Sequence, residues 1–190
     1  MKLTLLDAET LGGDLNFDLL KEFGDIVVFQ NTLPREVADH IADSDVIMIN
    51  KIRINEQNLK NAHNLKLICV AATGYDNIDL AYCKAHGILH DETVFVGDAV
   101  CNVVGYSTHS VAQVTLAMAL SLYTHLPEYS AFVDCGQYSK SGVANRLTPV
   151  YHELFGKVWG IVGLGNIGKQ VARTAEVMGC RVIGFKRTPD

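Results

Sequence analysis

The sequence has no excess of basic charge, no Cys-x-x-Cys pair, no leader-like apolar segment and no internal repeat, and each absence removes a class of protein. Lys+Arg 16 against Asp+Glu 21 gives a net charge of −5 and an isoelectric point near 5.8. That balance argues against nucleic acid or an anionic membrane surface as partner. The five cysteines (Cys69, Cys83, Cys101, Cys135 and Cys180) are scattered and odd in number. Reduced structural thiols in a cytoplasm are therefore expected, not a disulfide framework. Met1–Asp7 lacks the long apolar stretch of a signal peptide. The most apolar long segment, Val111–Tyr123, is interrupted by Gln113, Thr115 and Ser121 and is too short to span a bilayer. A soluble protein is expected, and no cluster suggests a metal.

What remains is an ordinary globular composition: 190 residues, 48% hydrophobic and 19% charged, enough for one large or two small domains. Short apolar runs at Leu3–Leu6, Ile26–Phe29, Val46–Ile49 and Leu65–Ala71 read as buried strands. Between them lie helix-like stretches: Leu15–Phe23 with apolar residues at 15, 19, 20 and 23, then a segment opened by Pro34, one capped by Asn55, and Asp79–His86 stopped by Gly87. Strands alternating with helices predict a parallel sheet covered on both faces over residues 1–104. Ser107 or Thr108 would cap a long helix to about Leu126, apolar on so many sides that it belongs in a core or against another subunit. A second helical piece, Tyr129–Tyr138, and a loop-like stretch, Ser139–Leu154, follow.

The most informative stretch comes last. Val158–Val162 is an apolar run followed at once by Gly163-Leu164-Gly165-Asn166-Ile167-Gly168, a helical pattern to Gly179, and a second run, Val182–Phe185. Strand, glycine turn, helix and strand are the context in which G-x-G-x-x-G means dinucleotide binding. Gly163 permits the tight turn, Gly165 the approach of a pyrophosphate, and Gly168 the close packing of helix on strand. The N–H groups of Asn166 and Ile167 would face the phosphates at the positive end of the helix. At the end of the second strand, where an NAD site carries an acid for the ribose 2′-hydroxyl, stand Lys186 and Arg187. They would either hold a 2′-phosphate, which favours NADP, or be two solvated basic residues.

Two further segments bear on function. The turn Ala72-Thr73-Gly74-Tyr75-Asp76-Asn77 follows the fourth strand, at the carboxyl edge where open parallel sheets bind ligands. Free N–H groups around Gly74 and the Thr73 hydroxyl would receive a carboxylate, or the segment is a plain turn with Asp76 or Asn77 as a cap. Between Ile88-Leu89 and the run from Ala99 to Val103, residues 90–98 interrupt a strand, with Gly97-Asp98 as a turn and Val94–Val96 as an extra strand.

Three motifs, LKLICVAATGYDNIDL (65–80), CNVVGYSTHSVAQ (101–113) and GKVWGIVGLGNIGKQVA (156–172), resemble the D-isomer-specific 2-hydroxyacid dehydrogenases over nearly the whole chain, in particular the glycerate dehydrogenase and hydroxypyruvate reductase members. The resemblance implies an α/β fold. A flavodoxin-like parallel-sheet substrate domain (1–104) is followed by a dimerisation helix and the first βαβ unit of an incomplete Rossmann domain (105–190). It implies NAD(P) as cofactor, a small 2-hydroxy or 2-oxo acid as substrate and a homodimer built partly around the long helix. Position by position, Thr73 matches a residue near cofactor and substrate, Gly74 and Tyr75 the carboxylate-binding turn, and Tyr106 a position near the pocket. Asn166 and Ile167 match the pyrophosphate contacts, Lys186 the place of the acid in NAD-users, and Arg187 the basic residue of NADP-users.

Two departures accompany the resemblance. Roughly His90–Ala99 looks inserted, and the sequence ends before the positions of the family's catalytic arginine, glutamate and histidine. No catalytic residue is thus assigned, and the seven histidines are expected to be surface or packing residues. Lys157–Asp190 is also below the roughly 40 residues at which a domain buries enough surface alone, and its second strand would present an unpaired apolar edge. The expectation is an oxidoreductase acting on the CH–OH group of D-2-hydroxy acids, present as an N-terminal portion and inactive by itself. The alternatives are a non-catalytic dinucleotide-binding or dimerisation module, or an inactive gene fragment.

Overall fold

The structure, a computed structural model, describes residues 1–90 and 99–188. It divides into two compact units, Met1–Val104 and a second beginning at Gly105. In the first, strands β1 (Lys2–Leu5), β2 (Asp25–Val28), β3 (Val46–Ile49), β4 (Leu67–Val70), β5 (Leu89–His90) and β6 (Ala99–Asn102) form one parallel sheet in the order β2-β1-β3-β4-β6-β5. The first four positions repeat the flavodoxin-like order. β6, not β5, lies beside β4, so the apolar run Ala99–Asn102 occupies the fifth place and the two-residue β5 lies outside it. The suggested strand Val94–Val96 lies outside the described residues.

Helices α1 (Val37–Ile41), α2 (Glu56–Leu59) and α3 (Leu80–Ala85) bury one face of this sheet. Ile47, Ile68 and Val100 stand in register across β3, β4 and β6 and are at most 1% exposed. Val37, Ile41, Leu59 and Cys83 pack over them. Each such side chain contributes about 1.5–3 kcal/mol through removal from water. The helix starts are chemically marked: Asn55 accepts from the N–H groups of Gln57 and Asn58, while the Asn58 side chain returns a bond from the Asn55 N–H. Asp79 accepts from the Tyr82 N–H at 3.0 Å.

The opposite face is covered less evenly than the first. Leu3, Leu5 and Val46 are buried on it, while Met48, Cys69 and Cys101, in register, are only half-buried, so among the described residues this face is well covered over β1 and less so toward β4 and β6. The segment Leu15–Phe23, expected as a helix with one apolar face, is no core helix. It is a 3-10 helix, Phe17–Phe23, opened by Asn16, with Leu19 71% and Phe23 54% exposed. At three residues per turn, side chains spaced by four do not line up, and the apolar face drawn from α-helical spacing does not form.

The second unit contains α4 (Thr108–Tyr123), α5 (Leu126–Asp134), α6 (Gln137–Lys140), β7 (Val158–Val162), α7 (Asn166–Val177) and β8 (Arg181–Phe185). β7 and β8 are parallel, from Val158 opposite Arg181 to Val162 opposite Phe185. α7 ends as Gly179 anticipates: φ is +80° there, and the Cys180 N–H returns to Ala175 O at 3.0 Å. α4 packs against α7, yet only Ala112 of α4 is buried. Val114, Met118 and Leu122 are 54%, 57% and 77% exposed. Ser107 is the N-cap of α4 by position and makes no side-chain capping bond. No helix among the described residues is long and apolar enough to cross a membrane.

Candidate functional site

In the first unit the carboxyl edge of the sheet is a ring of turns pinned by polar side chains. Thr73 follows β4 and its hydroxyl donates to Val103 O at 2.8 Å, while Asn102 Nδ2 donates to Thr73 O at 2.7 Å. The turn after β4 is thereby tied to the end of β6. Asn77 Nδ2 donates to Ile52 O at 2.7 Å, tying the same turn to the segment after β3. Thr73 and Gly74 are exposed and Tyr75 is half-buried. The Gly74 N–H has no acceptor among the described residues and is available to an anion. A Cβ on Gly74 would meet Asp76 Oδ1 at 3.3 Å, so a side chain there would crowd the turn. In this arrangement the Thr73 hydroxyl proton is engaged with Val103 O. Tyr106 belongs to the second unit and is 62% exposed.

Sequence reasoning passed over the residues that hold the neighbouring turn. Asp7 follows β1 and is 1% exposed. Its carboxylate accepts the Asn50 N–H at 2.9 Å and the Lys51 N–H at 2.6 Å. Asn50 Nδ2 in turn donates to Thr10 Oγ1 at 2.9 Å. The available signal was position: Asp7, Asn50 and Asn102 are the polar residues at the ends of apolar strands, where ligand-facing turns begin.

In the second unit, β7 leads directly into the glycine turn. Gly163 has φ +101°, a conformation open to glycine at little cost. Its N–H and that of Leu164 both donate to Phe185 O, at 2.9 and 3.3 Å, which brings the turn against the end of β8. Gly165 is the N-cap of α7, which carries no side-chain cap and no acid in its first turn. The N–H groups of Asn166 and Ile167 are thus left for an external acceptor at the positive helix end. A Cβ on Gly165 would meet nothing within 4 Å, so the space before the turn is open. A Cβ on Gly168 would lie 2.2 Å from Gly163 O, so α7 can approach the turn this closely only with glycine there. These residues fit a pyrophosphate. Lys186 and Arg187 directly follow Phe185, whose carbonyl holds the turn, and Arg187 is exposed.

Two thiols of the first unit are held away from ionisation. Burial, and secondarily the neighbouring Cys101, push the Cys69 thiol up to about 11. Burial, with Asp79 adding to it, does the same for Cys83. His40 stacks on Phe29 with centroids 3.7 Å apart, His86 stacks on Tyr82, and His125 lies 3.2 Å from Glu128. His63, His109 and His152 are exposed.

Residues 8–182 match the family model described as D-isomer specific 2-hydroxyacid dehydrogenase, catalytic domain. Glycerate dehydrogenase of Methylorubrum extorquens is 30% identical over 190 residues, covering 99% of this chain and 56% of that protein. D-lactate dehydrogenase from Aquifex aeolicus, solved with NAD and lactic acid, shares the fold with a TM-score of 0.77 at 23% identity, over 100% of this chain and 52% of that one. An acyclic imino acid reductase solved with NADPH and D-Arg does so with a TM-score of 0.74 at 22% identity, over 100% and 58%. The chain spans about half the length of the curated relatives it matches.

Proposed function

Because the chain belongs to the D-isomer-specific 2-hydroxyacid dehydrogenase family, we propose that it forms the N-terminal portion of an NAD(P)-dependent oxidoreductase of D-2-hydroxy acids. The observation that carries this reading is the turn at Gly163–Gly168. Its uncapped helix start and the open space at Gly165 suit a pyrophosphate. The nicotinamide, when bound, supplies the hydride that reduces a 2-oxo acid at its carbonyl carbon. The chain's own part is binding. Gly163, Gly165, Asn166, Ile167 and Gly168 hold the dinucleotide. The Gly74 N–H, with Thr73 and Tyr75 around it, receives the substrate carboxylate, and Tyr106 is a further substrate-binding residue that the family resemblance implies.

Lys186 and Arg187 follow the second strand, at the position where the family reads the ribose, and two cations there would complement a 2′-phosphate, which favours NADP over NAD. The residues named here hold cofactor and substrate, and a binding role is the one assigned to them. Five free cysteines suit a reducing cytoplasm. The exposed row Val114, Met118 and Leu122 on α4 suits a homodimer.

Titration of the purified chain with NADPH and NADH, followed by intrinsic fluorescence, tests the reading. NADPH is expected to bind about tenfold or more tighter than NADH, equivalent to about 1.4 kcal/mol, and Arg187→Glu to remove the difference. Absence of binding by either dinucleotide refutes the cradle. Steady reduction of hydroxypyruvate or glyoxylate by the chain alone refutes the assignment of a binding role only.

A further inference from the structure

The Thr73 carbonyl and the Gly74 N–H are the two ends of one trans peptide group, so they point in opposite directions. The carbonyl end is held: Asn102 Nδ2 donates to Thr73 O at 2.7 Å. The N–H end faces away from Asn102 and has no acceptor among the described residues. Asn102 itself stands on fixed backbone. It is the last residue of β6 and pairs with Val70 of β4, and the Val103 N–H carries the ladder on to Ala72 O at 3.0 Å. The Thr73 hydroxyl closes the same corner on Val103 O.

A pin on this peptide has a specific use. Glycine accepts φ of either sign, so a peptide group that precedes it turns over at small steric cost. Turned over, the group would present the Thr73 oxygen where it now presents an N–H, and a carboxylate would meet a dipole of the wrong sign. A bond to the carbonyl oxygen opposes that rotation. It also polarises the peptide, which makes the N–H at its far end the stronger donor. The turn's other tie does neither. Asn77 Nδ2 donates to Ile52 O and Asn50 O, and to neither end of the Thr73–Gly74 group.

We propose that Asn102 is a positioning residue for substrate recognition: through Thr73 O it fixes the direction of the Gly74 N–H that receives a carboxylate. The inference rests on the reading of Thr73, Gly74 and Tyr75 as the carboxylate-binding turn.

The test is amide NMR of the 15N-labelled full chain in three forms: the parent, Asn102→Ala and Asn77→Ala. Residual dipolar couplings, measured without ligand, report the direction of the Gly74 N–H. That coupling should change in Asn102→Ala and keep its parent value in Asn77→Ala, while the couplings of β4 and β6 stay constant in both. Titration with glyoxylate, followed at the Gly74 amide, should show binding weakened about fivefold or more by Asn102→Ala, the effect of one hydrogen bond, and less by Asn77→Ala. Asn102→Ser, whose hydroxyl is too short to reach Thr73 O, takes the place of the alanine variant if that one does not fold. An unchanged Gly74 coupling in the Asn102 variant, or equal weakening by the Asn102 and Asn77 variants, overturns the proposal and leaves the role of the turn standing. A parent chain whose Gly74 amide does not respond to glyoxylate overturns the role of the turn, and the proposal with it.

Discussion

Two glycines of one turn should respond oppositely to the same added methyl group. At Gly168 the new Cβ lies 2.2 Å from Gly163 O and 3.2 Å from Ile161 Cγ2. A carbon–oxygen contact needs roughly 3.3 Å, so α7 must retreat by about 1 Å from a backbone oxygen that has no rotamer to escape into. Overpacking of this kind costs about 1–3 kcal/mol, and the better helix propensity of alanine returns at most about 1 kcal/mol. A net loss of about 1–2 kcal/mol lowers the melting temperature of a unit of this size by about 5–15 °C. At Gly165 the φ of −84° suits any residue and the new methyl meets nothing within 4 Å. Stability should then change by less than about 0.5 kcal/mol, while the methyl occupies the approach of the pyrophosphate and weakens NADPH binding by about tenfold or more. The assay is paired calorimetric melting and fluorescence titration of Gly168→Ala and Gly165→Ala. If Gly168→Ala melts with the parent, or Gly165→Ala melts well below it, the division between a packing glycine and a ligand glycine is wrong.

Asp7→Ala strands the Asn50 and Lys51 N–H groups, and urea denaturation should show a loss of about 2 kcal/mol in the first unit; an unchanged midpoint would mean that water replaces the carboxylate. Cys69 and Cys83 both titrate near 11 in the folded chain against an ordinary 9.0. The unfolded chain therefore loses these protons first, and the stability present below about pH 9 falls as pH rises toward 11. Melting temperature measured across that interval should fall less in the Cys69→Ala, Cys83→Ala double variant than in the parent, relative to each protein's own value at pH 8. If the chain dimerises through α4, Leu122→Glu, at a position 77% exposed in the single chain, should give a monomer by light scattering without loss of helix content; a variant with the parent's mass would place the interface elsewhere.

Much of the fold is legible because it depends on local chemistry. Asn55 and Asp79 cap the helices that follow them, Gly179 ends α7 in the left-handed region, and the spacing of Gly163, Gly165 and Gly168 specifies a turn. The errors arise where local pattern and distant packing disagree. Leu15, Leu19 and Phe23 look like a core face, yet a 3-10 turn rotates them into solvent. The apolar surface of α4, read as belonging in a core or against another subunit, has only Ala112 fully buried within the chain.

The amino-acid order alone determined the alternation of strand and helix, the glycine cradle and the family membership, because each resides in neighbours a few residues apart. Tertiary structure alone decided that β6 takes the place beside β4, that Thr73 gives its proton to Val103, and that Asp7 holds a turn 43 and 44 residues away. The physical reason is range: a cap or a tight turn is satisfied by its own segment. A buried carboxylate is satisfied by whatever the folded sheet brings beside it.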